Sequence, residues 1–564
     1  MQKKISKDIA ACIPELTEAS ILSLLLVPPD PNLGDYAFPC FSLAKQLHKS
    51  PIKVAEALKE TLDSQHDTRY QKVEAVKGYL NIYVNKTYVI EKVLEQIMKN
   101  TLLSQDIGQG KTICLDYSSP NIAKKFHIGH LRTTIIGNSL SKIYQTLGYK
   151  VVRINHLGDW GTQFGKLIVA YQKWSSKEKI QEEGINELLR IYVKFHKEAK
   201  KEPALIEEAR NWFVKMEQKD EEALNIWKWF MDISMIEFQY IYDLLKVEFD
   251  YYTGESYYQD MIPMVLKQLN EKNLLTLSDG AQIVDLSSEQ LPPCLIAKKD
   301  GSSIYPTRDI SAAIYRKDTY GFCKCLYVTG AEQVLHFNQV FKVLDKLGYS
   351  WSKSLVHVPY GLVSMAGEKL STRTGNIIYA RELLLESIER AQKAIEMKNP
   401  VLPDKVKTAQ QVGIGAIIFH DLFTQRIKNI DFKWEDVLSF EGASGPYIQY
   451  TYARAKSILR KNRDYTAALD IDFEVLSEEY SYQLIKGLNS YTDTVIKAAE
   501  NYEPSMIARY VLNLAQDFNK FYHKCPIKQS DNHIKKARLL LVYGVQKIIG
   551  EAMSLLGIEC PEEM

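Results

Sequence analysis

Apolar and polar positions repeat with two different periods along this chain, and the changes of period mark its elements. The short apolar run Lys111-Thr-Ile-Cys-Leu-Asp-Tyr117 reads as a buried strand. The stretch after it, through Gln145, repeats apolar residues at helical spacing, and Tyr149 to Ile154 returns to a strand pattern. Strand, helix and strand in that order predict a parallel sheet with a right-handed crossover. Before this unit, helical periods near residues 41 to 64, strand-like alternation from Val76 to Val84 and a Pro28-Pro-Asp-Pro31 loop predict a separate α/β module. After it, residues 166 to 250 carry Lys, Glu, Trp and Leu at helical spacing and read as an inserted helical connection. The β-like runs Gln282 to Leu286, Leu295 to Lys298 and Cys325 to Thr329, with a helix from about Val334, are expected to restore the second half of the sheet. Beyond about residue 380 the pattern is almost wholly helical.

These periods predict a multidomain α/β plus all-α protein: a Rossmann-like parallel-sheet domain flanked by an N-terminal α/β module and a C-terminal helical bundle. The expected boundaries are 1–106 for the module, 107–400 for the Rossmann-like domain with its insertion at about 166–250, 401–439 for a helical stem, and 440–564 for the bundle. A length of 564 residues fits roughly three or four domains, and 46% hydrophobic residues allow each a core. Lys plus Arg number 71 against 69 Asp plus Glu, so any nucleic-acid surface must be a local patch. No run of eighteen apolar residues occurs, and Met1-Gln-Lys-Lys-Ile-Ser-Lys7 does not lead into a secretory apolar core. A cytoplasmic protein with no membrane partner is expected. Among the eight cysteines the one close pair, Cys323-x-Cys325, is too tightly spaced for paired zinc ligands, so reduced, buried thiols and no metal site are expected.

Candidate chemistry concentrates in Ser118-Ser-Pro-Asn-Ile-Ala-Lys-Lys-Phe-His-Ile-Gly-His130. His127 and His130, three apart, share one helix face at the expected helix start, where unpaired N–H groups and the dipole attract phosphate. Gly129, lacking a Cβ, lets a flat base approach the backbone. Taken alone, a His-x-x-His pair of this kind is the mark of a merely solvated helix start. Far downstream, Gly367-Glu-Lys-Leu-Ser-Thr-Arg-Thr-Gly-Asn376 follows the strand-like run Leu355 to Pro359 and sets Lys369 and Arg373 between glycines, a cationic loop suited to triphosphate or an ordinary surface turn.

In this order the two loops resemble the paired ATP motifs of class I aminoacyl-tRNA synthetases. Asn155-His-Leu-Gly-Asp-Trp-Gly-Thr-Gln-Phe-Gly165, Tyr305-Pro-Thr-Arg-Asp309, and Ser444-Gly-Pro-Tyr-Ile-Gln-Tyr450 with Arg454 narrow the resemblance to the arginyl-tRNA synthetase family. It implies ATP-dependent attachment of L-arginine to tRNA(Arg) through an arginyl adenylate. ATP and its Mg2+ enter as substrate, with no permanent cofactor. Activation is expected only with tRNA bound, in a monomer with no obligate protein partner. His127, His130, Lys124 and Lys369 would be catalytic, and Gly129, Ser371 and Arg373 would join them around ATP. Where the wider class has a second lysine in its loop this chain has Thr372, with Arg373 following, so Lys124 or its neighbour Lys125 is expected to supply charge.

For the amino acid, the resemblance implies contacts from Ser119, Pro120, Asn121, His130, Glu255, Tyr305, Asp309 and Gln333. A guanidinium is a planar fork of five donors and needs acceptors. Tyr305 and Asp309, four apart with Pro306 suited to a helix's first turn, could face one such pocket, although without the resemblance Asp309 reads as an ordinary capping or dipole-favoured residue. His156 and Asp159 either orient ligand or hold the second strand's exit. Residues 440–564 would be the anticodon-binding bundle, with Tyr447, Tyr450 and Arg454 contacting RNA, against the plainer reading of a solvated helix face. The N-terminal module would grip the outer corner of the tRNA. Two other readings stay open: another adenylyl-transferring enzyme of the same superfamily, and a catalytically inactive synthetase-like tRNA-binding protein.

Overall fold

The computed structural model describes every residue except 14–15, 66, 104–105, 300–303, 366–367, 370–377, 463–464, 466 and 529–530, and omits the side chains of Pro31, Met365, Glu368 and Lys369. Its contacts divide the chain into two compact units, one of Met1–Leu102, Ile458–Ser490 and Gln516–Lys547, the other of Leu103–Ser457, Tyr491–Ala515 and Ile548–Met564.

In the first unit, Tyr36–Pro39, Tyr79–Val84 and Tyr70–Val76 form an antiparallel sheet, with Tyr79–Val84 central. The alternation read as one strand from Val76 to Val84 is two strands, because Lys77 and Gly78, at φ 49° and 85°, form a two-residue turn between them. Phe38, Leu80 and Ile82 of this sheet pack with Val54, Leu58 and Leu62 of the helix Pro51–Ser64.

The second unit is built on a five-stranded parallel sheet in the order Leu355–Tyr360, Lys324–Gly330, Thr112–Asp116, Lys150–Asn155, Tyr251–Tyr252. Thr112–Asp116 passes through the helix Ile128–Thr146 to its neighbour Lys150–Asn155, whereas Lys324–Gly330 passes through Val334–Lys346 to a neighbour on the opposite side. The order in which strands are added therefore reverses between the parallel neighbours Thr112–Asp116 and Lys324–Gly330, which opens a crevice at their carboxyl ends. Five helices between Thr162 and Leu245 fill the interval before Tyr251, as the helical spacing predicts.

One expectation is overturned. The runs near 282 and 295 are strands, Ala281–Val284 and Cys294–Ala297, but they join Leu275–Ser278 in a separate antiparallel sheet and add nothing to the parallel one. Asp279 and Gly280, at φ 49° and 82°, close a two-residue hairpin ahead of Ala281, and such a turn can only connect antiparallel neighbours.

Beyond Ala380 the described chain is helical apart from the short strand Ile430–Phe432. That strand pairs in parallel with Val363–Met365, which also pairs with Glu368–Lys369. Arg132, wholly buried on the helix Ile128–Thr146, donates to the carbonyls of Leu362, Arg426 and Lys428 at 3.5, 2.9 and 3.0 Å and so fastens this small sheet to the helix. No helix among the described residues is long and apolar enough to cross a membrane.

Candidate active site

The chain leaves the strand Thr112–Asp116 through a bent loop: Ser118, Ser119 and Ala123 have φ of 73°, 47° and 61°, which costs about 1–3 kcal/mol each for residues with a Cβ. Surrounding bonds hold the loop in place. The Ser119 N–H donates to Asn155 Oδ1 at 3.2 Å, Ser119 Oγ donates to Asp116 Oδ1 at 3.0 Å, and Ser118 Oγ meets the Tyr242 hydroxyl at 2.8 Å. Residues 120 to 122 pair with Gly158, whose N–H donates to the Pro120 carbonyl at 3.1 Å. A Cβ on Gly158 would stand 2.3 Å from Asn121 Oδ1, so the glycine leaves room for the Asn121 side chain in its present position. The loop borders a cavity of about 290 Å³ at the switch point of the sheet. Ser119, Asn121, His127, Gly129, His130 and Gln333 line it, together with Thr329 and Tyr360. A larger open cleft, about 840 Å³, lies in the helical insertion beside Asp220, Glu221 and Glu222; it holds none of the candidate residues, and its carboxylates disfavour phosphate.

His127 is the N-cap residue of the helix Ile128–Thr146 and His130 is its third residue. His127 Nδ1 accepts from the Gly129 N–H at 3.1 Å, and His130 Nδ1 accepts from the His127 N–H at 3.3 Å, a reciprocal capping box made of two imidazoles. The rings stack at 3.7 Å. This corrects one expectation, because the helix start has few unpaired N–H groups left for phosphate. Gly129 gives its N–H to His127, and the Ile128 N–H donates to the Ile378 carbonyl at 3.1 Å. With each Nδ1 accepting, the neutral rings carry their proton on Nε2, the atom left to serve as a donor. Desolvation, then the nearby Lys124 charge, lowers His127 to about 4. Desolvation, His127 and Lys124 push His130 far down as well.

The two neighbouring lysines differ. Lys125 donates to Glu382 at 3.3 Å and lies 4.5 Å from the Tyr379 ring centroid. Lys124 makes no ion pair among the described residues, and desolvation lowers its pKa. Lys369 has its backbone paired with Ser364; its side chain, Ser371, Thr372 and Arg373 lie outside the described residues.

The carboxylates expected to meet a guanidinium already hold donors from this chain. Tyr305 and Asp309 share the first turns of the helix Tyr305–Tyr320, with Tyr305 64% exposed. His336 Nε2 donates to Asp309 Oδ2 at 2.5 Å, and His156 Nε2 stands 3.8 Å from Oδ1. Burial raises the Asp309 carboxyl, but the His336 bond and the charges around it outweigh burial and hold it below its usual value. Glu255, buried at the start of a 3-10 turn, accepts from Arg308 at 2.7 Å. Burial pushes the Glu255 carboxyl up to about 8 against the pull of Arg308. Asp159 accepts from the Ser256 N–H and Oγ at 2.8 and 2.6 Å, and His156 Nδ1 lies 3.1 Å from the Thr253 carbonyl, so the block after Asn155 holds the turn that carries Glu255. Sequence reasoning missed Arg308, Arg316 and His336. Arg316 is fully buried and pairs with Asp116 at 2.8 Å beneath the site. The available signal for His336 was its position three residues after Gln333, one helical turn along.

Tyr447, Tyr450 and Arg454 lie on the helix Gly445–Lys461 at positions that share a face. The Arg454 guanidinium covers the half-exposed Tyr450 ring at 4.8 Å. Lys456, in the same basic run, is paired with Glu562 at 2.9 Å.

The sequence profile for "tRNA synthetases class I (R), catalytic domain" matches residues 92–434, so the switch-point cavity and the histidine-capped helix at its edge lie within a class I aminoacyl-tRNA synthetase domain. Profiles for an arginyl-tRNA synthetase N-terminal domain and a DALR anticodon-binding domain match 1–84 and 448–564. An arginine-tRNA ligase of Alkaliphilus metalliredigens is 47% identical, with 100% of this chain and 99% of the relative covered. One from Bacillus cereus is 49% identical, with 98% and 97% covered. The crystal structure of arginyl-tRNA synthetase from Plasmodium falciparum superposes with a TM-score of 0.82 at 26% identity, covering 100% of this chain and 99% of that one. The chain belongs to the arginyl-tRNA synthetase family.

Proposed function

We propose that this protein attaches L-arginine to tRNA(Arg) in two steps, using ATP. The α-carboxylate of arginine attacks the α-phosphorus of ATP, the bond to pyrophosphate breaks, and arginyl adenylate forms. A ribose hydroxyl of the terminal adenosine, the 2′-hydroxyl by the habit of class I, then attacks the aminoacyl carbonyl and releases AMP. No covalent enzyme intermediate is required, so catalysis is positioning and charge stabilisation. The observation that carries this reading is the pair of capped, neutral histidines on the cavity wall, each with Nε2–H free of its capping bond to donate to phosphate oxygens as charge grows there. Lys124, desolvated and without an ion pair among the described residues, is the better placed of the two lysines to offset charge on the departing pyrophosphate, with Lys369 as its partner across the triphosphate. Mg2+ enters with ATP. Ser119, Pro120, Asn121 and Gln333 take the backbone end of arginine, and Tyr305, Asp309 and Glu255 its guanidinium. Tyr447, Tyr450 and Arg454 contact tRNA. The protein works in the cytoplasm as a monomer, and activation requires bound tRNA.

The test is arginine-dependent exchange of pyrophosphate into ATP, with and without tRNA and against other amino acids. Exchange only with arginine and tRNA is expected. Exchange with arginine alone removes the tRNA requirement, exchange with another amino acid refutes the pocket, and no exchange under any condition favours a noncatalytic RNA binder.

A further inference from the structure

We propose that His336 is a positioning residue for the arginine pocket, fixing the Asp309 carboxylate in the plane in which it receives a guanidinium; this rests on the reading of Asp309 as a guanidinium ligand. A carboxylate accepts a guanidinium best when both groups are coplanar and two N–H bonds run parallel, so an aspartate free to rotate about its side-chain bonds loses part of the gain on binding. Asp309 is not left free. His336 Nε2 lies 2.5 Å from Oδ2, and because an ionised carboxylate only accepts, that nitrogen carries the proton. The second imidazole, His156, stands 3.8 Å from Oδ1, beyond hydrogen-bond distance, and no donor among the described residues reaches Oδ1. The tether uses one lone pair of Oδ2, so the remaining lone pair of Oδ2 and those of Oδ1 stay open for the two parallel bonds of a guanidinium.

The tether comes from the same helix start that carries the other end of the site. Gln333 is the N-cap residue of Val334–Lys346 and lines the cavity, and His336 lies in the first turn. The ring packs edge-on against Phe337 at 5.1 Å, and Phe337 is buried and stacked on His357 at 4.8 Å, so the imidazole has a fixed wall behind it. His336 remains partly exposed, which separates it from core residues whose loss would unfold the chain.

The experiment compares wild-type protein with His336→Ala and His336→Gln in tRNA charging, measuring KM for arginine, KM for ATP, kcat and the thermal midpoint. A hydrogen bond to a charged group corresponds to about a tenfold or larger change in affinity, so His336→Ala is expected to raise KM for arginine about tenfold while KM for ATP stays within about twofold. His336→Gln, whose amide can donate from a similar position, is expected to recover part of the loss. An unchanged KM for arginine overturns the proposal. So does a lowered one, which would make His336 a competitor that arginine displaces. Equal shifts in both KM values with a lowered thermal midpoint, and no recovery by glutamine, would make the residue structural. If His336→Ala does not fold, the ratio of the two KM values in His336→Gln decides alone. Wild-type protein that charges no arginine would overturn the pocket reading itself, a result visible before any variant is measured.

Discussion

A histidine that caps a helix through Nδ1 can do so only while that nitrogen keeps its lone pair, which ties the chemistry of His127 and His130 to their protonation. Protonating either ring removes the acceptor for a backbone N–H and places a cation beside Lys124. An unfolded histidine titrates near 6.5, whereas His127 in the fold titrates at about 4. Between these values the unfolded chain binds more protons than the native one, so the stabilisation is complete above about pH 6.5 and is lost as pH falls toward 4. Activity should follow the same neutral form. Pyrophosphate exchange measured from pH 5 to 8 is expected to lack a protonation limb near 6.5 and to fall only at the acid end. A limb at 6.5 that disappears in His127→Asn would show an ordinary, solvated histidine and remove the argument for an Nε2 donor. At this scale the sequence shows residue types and hides their partners: the spacing of His127 and His130 is legible, but that they cap one another depends on a β-region backbone at His127. The same holds for Asp309 and Glu255, whose acceptor chemistry is readable while the donors on them, His336 and Arg308, come from a different helix and from a neighbour in the quoted motif.

Elements read well where periodicity is local and poorly where pairing is set by a turn. The strand at 112, the helix after His127, the strand at 150 and the helical insertion all follow from apolar spacing, because burial on one face or both leaves a repeating signature. The separate sheet at 275–297 was misplaced because its strands carry the same β-like composition as the parallel ones. The discriminating signal was Asp279-Gly280, two residues able to adopt positive φ. Lys77-Gly78 divides the first unit's alternation in the same way. Gly158 is the element-scale counterpart in the site. It is the point where the exit of the strand Lys150–Asn155 presses on the loop carrying Asn121, and its role is clearance, since a Cβ there meets Asn121 Oδ1 at 2.3 Å. Gly158→Ala must displace the Asn121 side chain or the loop that carries it, at a cost of about 1–3 kcal/mol as for other overpacked contacts. It is expected to lower the thermal midpoint and to raise KM for arginine more than KM for ATP, because Asn121 and Ser119 ride on the displaced loop. Unchanged kinetics with a lowered midpoint would show that the loop yields without carrying its side chains out of place.

Over the whole molecule the charges nearly cancel, 71 basic against 69 acidic, so attraction to a polyanion cannot come from the net field and must come from a few positions. That makes RNA binding separable from chemistry by substitution. On the helix Gly445–Lys461, Arg454 and Tyr450 already form a stacked pair, an aromatic face with a cation over it, and the spacing of Tyr447 puts a second ring on the same side. Such a pair offers stacking to an unpaired base and one charge to phosphate. Lys456, in the same basic run, is paired with Glu562 at 2.9 Å. Arg454→Ala is therefore expected to raise KM for tRNA about tenfold near 0.1 M salt, and to flatten the log-log dependence of tRNA affinity on salt by about 0.7–0.9, the share of a single phosphate contact. At saturating tRNA, KM for ATP and for arginine should stay at wild-type values, the reverse of the pattern expected for His127 or Asp309. If Arg454→Ala leaves the slope unchanged, the basic run serves only as a solvated helix face, and the phosphate contacts must be sought on other helices of the segment 448–564.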